Sequence, residues 1–209
     1  AEQMLTQALA TARLTGSPFW TNTISSKLVS VYVTNGNLDQ AIALLETLAL
    51  GAASNLSLGR RQCWFAHATV DIARGNADRA LEIVDQLIAF NAQTSARYTP
   101  PQLLKLQGDA LARLQVFPEA EQAYVTARDT AELFGFLPLL RRINVARGSL
   151  YDLKSDYSQA ELTRQQPRAE TEMLAATIPD EHIREHFRSC ALAQAPSRSP
   201  VLQSHAPHG

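Results

Sequence analysis

Near its carboxyl end the chain contains the stretch HIREH, which runs from His182 to His186. It has the form H-x-x-E-H, with which inverted-motif zinc peptidases supply two metal ligands and a general base. Two imidazoles four residues apart lie on one face of a helix, as a zinc site requires. A hydrolase of this kind would use His182, Glu185 and His186, and it would also need a third ligand from a distant helix.

The same segment also fits an ordinary amphipathic helix. Its apolar residues form one stripe, made by Ile178, Ile183, Phe187, Cys190 and Ala191. The stripe predicts a helix that covers the end of a helical domain, with His182, Arg184 and Glu185 in solvent. Because five-residue patterns often arise by chance, the sequence favours this second interpretation. We therefore predict that the chain is not an enzyme and holds no metal or cofactor.

No other group of residues forms a nucleophile–base arrangement. His67 lies near Trp64 inside a predicted helix, and we expect a packed, hydrogen-bonded core histidine. The pairs Arg60-Arg61 and Arg141-Arg142 could bind a phosphate or a carboxylate, although paired arginines are also common on solvated helix starts. None of the three lysines follows a glycine, which excludes the phosphate-binding G-x-x-x-x-G-K-[ST] loop.

The charges of the chain nearly balance, with 19 basic and 20 acidic residues. Such a balance creates no long-range attraction to nucleic acid or anionic lipid. The two cysteines, Cys63 and Cys190, lie in no C-x-x-C spacing, which predicts reduced, buried thiols. No run of the sequence approaches the ~20 apolar residues that span a bilayer. We therefore expect a cytoplasmic protein without a direct nucleic-acid or membrane partner.

The elements that position any site repeat along the chain. Four segments align without gaps on an alanine, at spacings of 39, 40 and 40 residues: GNLDQAIALLETL, GNADRALEIVDQL, QVFPEAEQAYVTA and KSDYSQAELTRQQ. The aligned residues are Ala41, Ala80, Ala120 and Ala160. A fixed period of this size is typical of a stacked array of small units.

Each unit is predicted to be a helix, a short turn and a second helix. The turns Asn35-Gly36-Asn37 and Arg74-Gly75-Asn76 place a glycine where a helix ends, and Lys154-Ser155-Asp156 is their counterpart. The last residue of each turn can cap the next helix. We expect the aligned alanine where the second helix crosses the first, because a leucine there would overpack by roughly 1–3 kcal/mol.

These units resemble tetratricopeptide repeats, whose pattern is W-x2-L-G-x2-Y…A-x3-F…P. The chain has Trp64 at the pattern's tryptophan, Leu28 at its leucine, and Gly108 and Gly148 at its glycine. Tyr32 and Tyr151 stand at its tyrosine, and Tyr124 stands at its phenylalanine. The chain departs from the pattern at Asp71, which occupies a tyrosine position, and at Pro167, which replaces a small residue. The resemblance implies an all-α superhelical solenoid of about four and a half repeats with a C-terminal capping helix.

Residues 1–193 are predicted to form one helical repeat domain that begins in mid-repeat. The predicted helices are 1–14, 19–35 with 38–53, 58–74 with 77–93, 101–115 with 118–134, 138–153 with 157–177, and 180–193. Residues 194–209 hold three prolines and no apolar period, which predicts a disordered tail. Because the first half-repeat lacks its upstream partner, we hypothesise that the chain is the C-terminal part of a larger protein.

In the resembled fold, the first helix of each unit faces a concave groove that binds partners. The residues at these positions are Thr23, Ser26, Ser30, Thr34, Gln62, Phe65, Thr69, Gln102, Lys105, Asp109, Arg113, Arg142, Ser149 and Asp152. The period and residues 169–196 also resemble the repeat region of large bacterial ATPase/LuxR-type (MalT-like) regulators. The resemblance implies a non-catalytic regulatory module that binds a protein, a peptide, a small effector or other domains of a parent chain. The alternative is a free-standing interaction scaffold.

Overall fold

The computed structural model describes residues 2–48, 57–93 and 98–193, and within these ranges it contains ten α-helices and no β-strand. The helices are α1 (Glu2–Leu14), α2 (Pro18–Thr34), α3 (Leu38–Glu46), α4 (Leu58–Arg74), α5 (Ala77–Gln93), α6 (Pro101–Arg113), α7 (Phe117–Leu133), α8 (Leu137–Leu153), α9 (Tyr157–Ala176) and α10 (Glu181–Ala193). The predicted all-α class is thus confirmed. No helix in the described ranges is both long and apolar enough to cross a membrane.

The helix α3 is shorter than the sequence predicts. A helix is expected over 38–53, but α3 ends at Glu46. The backbone N–H groups of Thr47 and Leu48 donate to carbonyls only three residues back, and the hydroxyl of Thr47 donates to the Leu44 carbonyl oxygen at 2.7 Å. A threonine that bonds the local backbone in this way competes with the helix. The rest of the predicted helix lies mostly outside the described residues, as does the predicted tail 194–209.

The four turns between paired helices share one backbone geometry. In each turn a backbone N–H donates to the carbonyl five residues earlier, from Asn37 to Tyr32, Asn76 to Asp71, Val116 to Leu111, and Asp156 to Tyr151. The residue before each of these donors has a positive φ: Gly36 (78°), Gly75 (85°), Gln115 (62°) and Ser155 (59°). This combination is the Schellman motif, which ends a helix and reverses the chain.

The predicted helix caps are only partly present. The carboxylate of Asp156 accepts a hydrogen bond from the Gln159 N–H at 3.2 Å, as a cap does. The side chain of Asn37 makes no capping hydrogen bond, so that expectation was wrong. The two residues have similar backbone angles. A charged carboxylate gains more than a neutral amide from the positive end of a helix, which favours capping by Asp156.

The four aligned alanines occupy equivalent places. Each is the fourth residue of the second helix in its pair, and each is fully buried, with 0% exposure: Ala41, Ala80, Ala120 and Ala160. The N–H of each donates to the carbonyl of the residue that precedes its helix. The sequence repeat therefore corresponds to a repeated local structure, in which this position leaves no space for a larger side chain.

The chain divides into two compact units, and the first is Ala1–Leu133. Within it α2 packs against α3 and α4, and α4 packs against α5 and α6. One core cluster joins Val29 of α2, Leu45 of α3 and Ala66 of α4. A second cluster joins Ala68 of α4, Val84 of α5 and the residues of α6 that face them. Each cluster thus connects a helix pair to the first helix of the next pair.

The second unit is Phe134–Gly209, and its described part contains α8, α9 and α10. The helix α8 packs extensively on α9, and α9 contacts α10. Its core includes Ile143 and Leu150, together with a polar interaction in which the amide of Asn144 donates to the Glu170 carboxylate at 2.7 Å. A buried carboxylate needs such a donor, because desolvation of its charge is costly.

Candidate functional site

A cavity of about 380 Å³ opens in the first unit, between the first helices of successive pairs. Its lining comes from α2, α4, α5 and the start of α6: Ser26, Lys27, Ser30, Leu58, Arg61, Gln62, Phe65, Leu87, Asn91, Pro100, Gln102 and Leu103. Segments that are distant in sequence meet here because α2 packs on α4 and α4 packs on α6. Pockets for small ligands have volumes of roughly 300–1,000 Å³.

Five of the residues predicted for the groove line this cavity, and they come from three different helices: Ser26, Ser30, Gln62, Phe65 and Gln102. Other residues of these three helices pack in the helical core, so the same helices supply both the core and the cavity lining. The structure thus brings five predicted positions from three helices together around one cavity.

Sequence reasoning missed several lining residues. Lys27 and Leu58 lie on the same first helices as the predicted residues, Lys27 directly after Ser26 and Leu58 one helical turn before Gln62. Arg61 was noted only as half of an arginine pair. Leu87 and Asn91 belong to α5, a second helix, for which no groove position was expected. The signal available for Lys27 was its position in the sequence, directly beside the serine and threonine residues predicted for the groove.

The two serines offer acceptors to the cavity. The hydroxyl of Ser26 donates to the carbonyl oxygens of Asn22 and Thr23, each at 2.9 Å, and that of Ser30 donates to the Ser26 carbonyl at 3.0 Å. Since each hydroxyl has one hydrogen, only its oxygen lone pairs remain for a ligand. Among its described residues, the lining contains no histidine, cysteine or carboxylate. The described lining therefore supplies no general base of the kind that a serine nucleophile requires.

Some polar atoms near the cavity are buried without a hydrogen-bond partner. They include Nε of Arg61, Oε1 of Gln62 and Oγ1 of Thr23. The guanidinium of Arg61 lies over the Phe90 ring, at 5.5 Å from its centroid, which is a cation–π contact. Unpaired buried polar atoms cost free energy and are uncommon in native proteins. The buried polar atoms of this region are therefore less completely hydrogen-bonded than those of an ordinary protein interior.

Lys105 and Asp109, which were predicted for the groove, do not line the cavity. They form an ion pair on α6, with Nζ 2.6 Å from Oδ2. The second carboxylate oxygen of Asp109 accepts a hydrogen bond from the Tyr124 hydroxyl at 2.8 Å. Burial, and then the charge of Asp109, raise the pKa of Tyr124 well above its usual value. The hydrogen bond between Asp109 and Tyr124 thus links α6 to α7.

The other predicted groove residues also lie away from the cavity lining. The hydroxyls of Thr34 and Thr69 donate to carbonyls of their own helices. Arg113 is exposed on α6. Arg142, Ser149 and Asp152 belong to α8, which is part of the second unit. The repeat positions Gly108 and Gly148 are both buried.

Cys63 and His67 lie on α4 and belong to the packing of that helix. Cys63 is 2% exposed, as predicted, and burial raises the pKa of its thiol to about 11. The His67 ring lies 6.3 Å from the Trp64 ring, between centroids, but its Nε2 is buried without a hydrogen bond. Burial lowers the pKa of His67, and the nearby Asp71 opposes this effect. The expectation of a hydrogen-bonded histidine was thus wrong at Nε2, because no acceptor or donor faces that nitrogen.

The HIREH motif lies on α10 with His182, Glu185 and His186 exposed. No set of three or more His, Cys, Asp or Glu side chains is placed to hold a metal ion anywhere in the described ranges. His186 contacts Cys190, whose Sγ lies 3.6 Å from Nε2. Cys190 is exposed, so the prediction of a buried thiol was wrong there.

Two further expectations for α10 were wrong. Ile183, expected in the packed apolar stripe, is 56% exposed. Arg184, expected in solvent, is partly buried, and its guanidinium donates to the Ile178 carbonyl at 2.8 and 2.9 Å and to the Pro179 carbonyl at 3.1 Å. These carbonyls follow the end of α9. The guanidinium supplies donors to carbonyls that follow a helix end, where intrahelical partners are missing.

Comparison with known proteins bears on the fold. No protein-family model matches the chain. No curated protein matches it. Fifteen chains among solved structures match, including BtubC (BKLC) from P. vanneervenii, which is 15% identical with a TM-score of 0.59 over 99% of this chain and 97% of that chain. At this identity the likeness concerns the fold alone, and it supports a helical, repeat-like, all-α protein.

Proposed function

We propose that the chain is a non-catalytic binding module, and that the cavity lined by α2, α4, α5 and α6 is its recognition site. The single observation that supports this most is the convergence of five predicted groove residues on one open cavity. A cavity lined by apolar side chains with a few polar groups is the usual form of a ligand site. The occupant would be a protein segment, a peptide or a small effector.

The finer assignments form part of the same proposal. The helix pairs would belong to the tetratricopeptide class and stack as a superhelical array, since the turn geometry and the buried alanine recur at the sequence period. The module would act in a cytoplasmic bacterial regulator, in signal transduction or transcription control, through contacts with protein partners. This context rests on the sequence resemblance. A free-standing scaffold is the alternative for the same cavity.

Phage display tests the proposal without requiring a known ligand. Purified chain is panned against a phage-displayed library of random peptides, and the selected peptides are titrated by calorimetry. Ser30→Phe places a ring in the cavity, whereas Thr126→Phe places the same ring on the exposed face of α7. Both variants are first checked for native helicity and melting temperature.

We expect selected peptides to bind the wild-type chain and the Thr126→Phe variant equally. Their affinity for Ser30→Phe is expected to fall at least about ten-fold, because a ring in the cavity excludes a ligand side chain. Equal binding to both variants would place recognition elsewhere and overturn the assignment of the site. If neither peptides nor a small amphipathic molecule such as 4-phenylbutyrate binds the wild-type chain, the proposed function itself is overturned.

A further inference from the structure

The charges around the cavity have one sign. Within the described ranges, Lys27 and Arg61 line it, and no aspartate or glutamate does. Among the described residues, neither cation has a carboxylate oxygen within 4.0 Å. The positive potential at the cavity is therefore available to an anion.

The rest of the lining is largely apolar. Leu58, Phe65, Leu87 and Leu103 present hydrocarbon to the cavity from three helices. The guanidinium of Arg61 is positioned by the Phe90 ring beneath it, at 5.5 Å. A planar cation held on an aromatic face loses little side-chain entropy when it binds an anion. The cavity thus combines an apolar surface with a pre-positioned positive charge.

Apart from the two cations, the described lining offers few other side-chain donors, chiefly the amides of Gln62 and Gln102. The hydroxyl hydrogens of Ser26 and Ser30 are used within α2, and the amide nitrogen of Asn91 donates to the Tyr98 carbonyl at 3.0 Å. A peptide backbone brings a carbonyl and an N–H at each residue, and both need partners when they are buried. A compact ligand with a single anionic group needs fewer donors. The lining therefore suits such a molecule better than a buried peptide.

The size of the cavity limits the ligand. A volume of about 380 Å³ equals that of about a dozen liquid water molecules, at roughly 30 Å³ each. We infer that the cavity binds a small amphipathic carboxylate, with an apolar body of about ten non-hydrogen atoms against Phe65 and Leu103 and its carboxylate toward Lys27 and Arg61. This inference rests on the proposed function, and it names the ligand class of the same site.

Three soluble compounds with the same phenylbutyl body test the inference by calorimetry: 4-phenylbutyrate, 4-phenylbutan-1-ol and 4-phenylbutylamine. We expect the carboxylate to bind, and the alcohol and the amine to bind at least about ten-fold more weakly, as the loss of a charge-assisted interaction implies. Acetate, which keeps the carboxylate and lacks the apolar body, is expected not to bind. Equal or tighter binding of the amine would overturn the inference.

Variants of the cations locate the site. Lys27→Gln and Arg61→Gln are each expected to weaken 4-phenylbutyrate binding about five- to ten-fold, and Arg61→Lys to retain part of it. Arg13→Gln removes one positive charge from an exposed position on α1 and should leave the affinity unchanged. If Lys27→Gln and Arg13→Gln behave alike, the anion does not bind in the cavity and the inference fails.

The outcome separates this inference from the proposed function. If 4-phenylbutyrate fails to bind while the selected peptides bind and are blocked by Ser30→Phe, the cavity is a peptide site and only the amphipathic carboxylate is excluded. If 4-phenylbutyrate binds, and if Ser30→Phe and Lys27→Gln lower its affinity while Arg13→Gln does not, the proposed function and the ligand class are both supported.

Discussion

Two faces of the helix pairs in the first unit differ in how completely they are packed. On the crossing face, Ala41, Ala80 and Ala120 have no exposed surface, and the ring of Tyr124 covers Gly108. On the cavity face, Phe65 and Gln62 are partly exposed, and buried polar atoms lack partners. The helices α5 and α6 contribute to both faces. The difference teaches that small residues allow close helix packing, whereas the cavity face keeps larger side chains and unpaired polar atoms, where we propose that a ligand binds.

Enlarging an alanine on the crossing face should have the largest effect on stability. Ala80→Leu adds three carbons to a residue with 0% exposure, and we expect the free energy of unfolding to fall by about 3 kcal/mol. Ala89→Leu makes the same change at an exposed position of α5 and should alter stability by less than about 0.5 kcal/mol. Urea denaturation followed by circular dichroism measures both. Equal effects of the two variants would show that the crossing face is not tightly packed.

Gly108→Ala should destabilise the chain by a smaller amount. A Cβ at this position would lie 2.7 Å from two atoms of the Tyr124 ring, which is 2% exposed and held through its hydroxyl by Asp109. We expect a loss of about 2 kcal/mol, although alanine gains about 1 kcal/mol over glycine in a helix. The double variant Gly108→Ala/Tyr124→Leu should be no less stable than Tyr124→Leu alone, because the added methyl group no longer meets the ring. A stabilised single variant would contradict this account.

The buried thiol of Cys63 predicts a loss of stability at alkaline pH. The pKa is raised from 9.0 to about 11, so the unfolded chain loses this proton first. Stability is therefore unaffected below pH 9 and falls as the pH rises from 9 to 11, by between about 1 and 2 kcal/mol. The control is Cys63→Val, which cannot ionise. Identical pH profiles for the two chains would mean that the thiol is solvated.

The turn residues should give the smallest effect, and with opposite signs. Gln115 has φ 62°, a left-handed conformation that costs a residue with a Cβ roughly 1 kcal/mol, so Gln115→Gly should stabilise by about that amount. Gly75→Ala, at φ 85° in the equivalent turn, should destabilise by about 1 kcal/mol. Thermal melts of both variants check the prediction. A stabilising Gly75→Ala would show that the two turns are not equivalent.

Much of the fold could be predicted because the local signals recur. The turn glycines Gly36 and Gly75, the aligned alanines and the apolar stripes each identify the same boundaries, and the described helices agree with most of them within a few residues. Ser155 was recognised as a turn residue only by its alignment with the glycines. The early end of α3 coincides with a Thr47 hydroxyl that bonds the local backbone, and the apolar stripe that predicted the helix carries no signal of such a contact.

The candidate site was predicted less completely. The resemblance to tetratricopeptide repeats implied groove positions at Ser26, Ser30 and Phe65 on the first helices of the units. It did not point to Leu87 or Asn91, which reach the cavity from the second helix of a pair. The hydrogen bond from Tyr124 to Asp109 depends on the way α7 packs on α6, which a single helical stripe does not specify. The inward turn of Arg184 likewise depends on carbonyls at the end of another helix.

The most direct test of the account is a backbone-amide NMR titration of the wild-type chain with the tightest ligand obtained, either a selected peptide or 4-phenylbutyrate. The account predicts that shifts concentrate around Ser30, Gln62 and Leu103, on the three helices that meet at the cavity. Amides near Ala120 and Tyr124, on the packed face, should not move. Shifts confined to α10, or spread evenly over both faces, would contradict it.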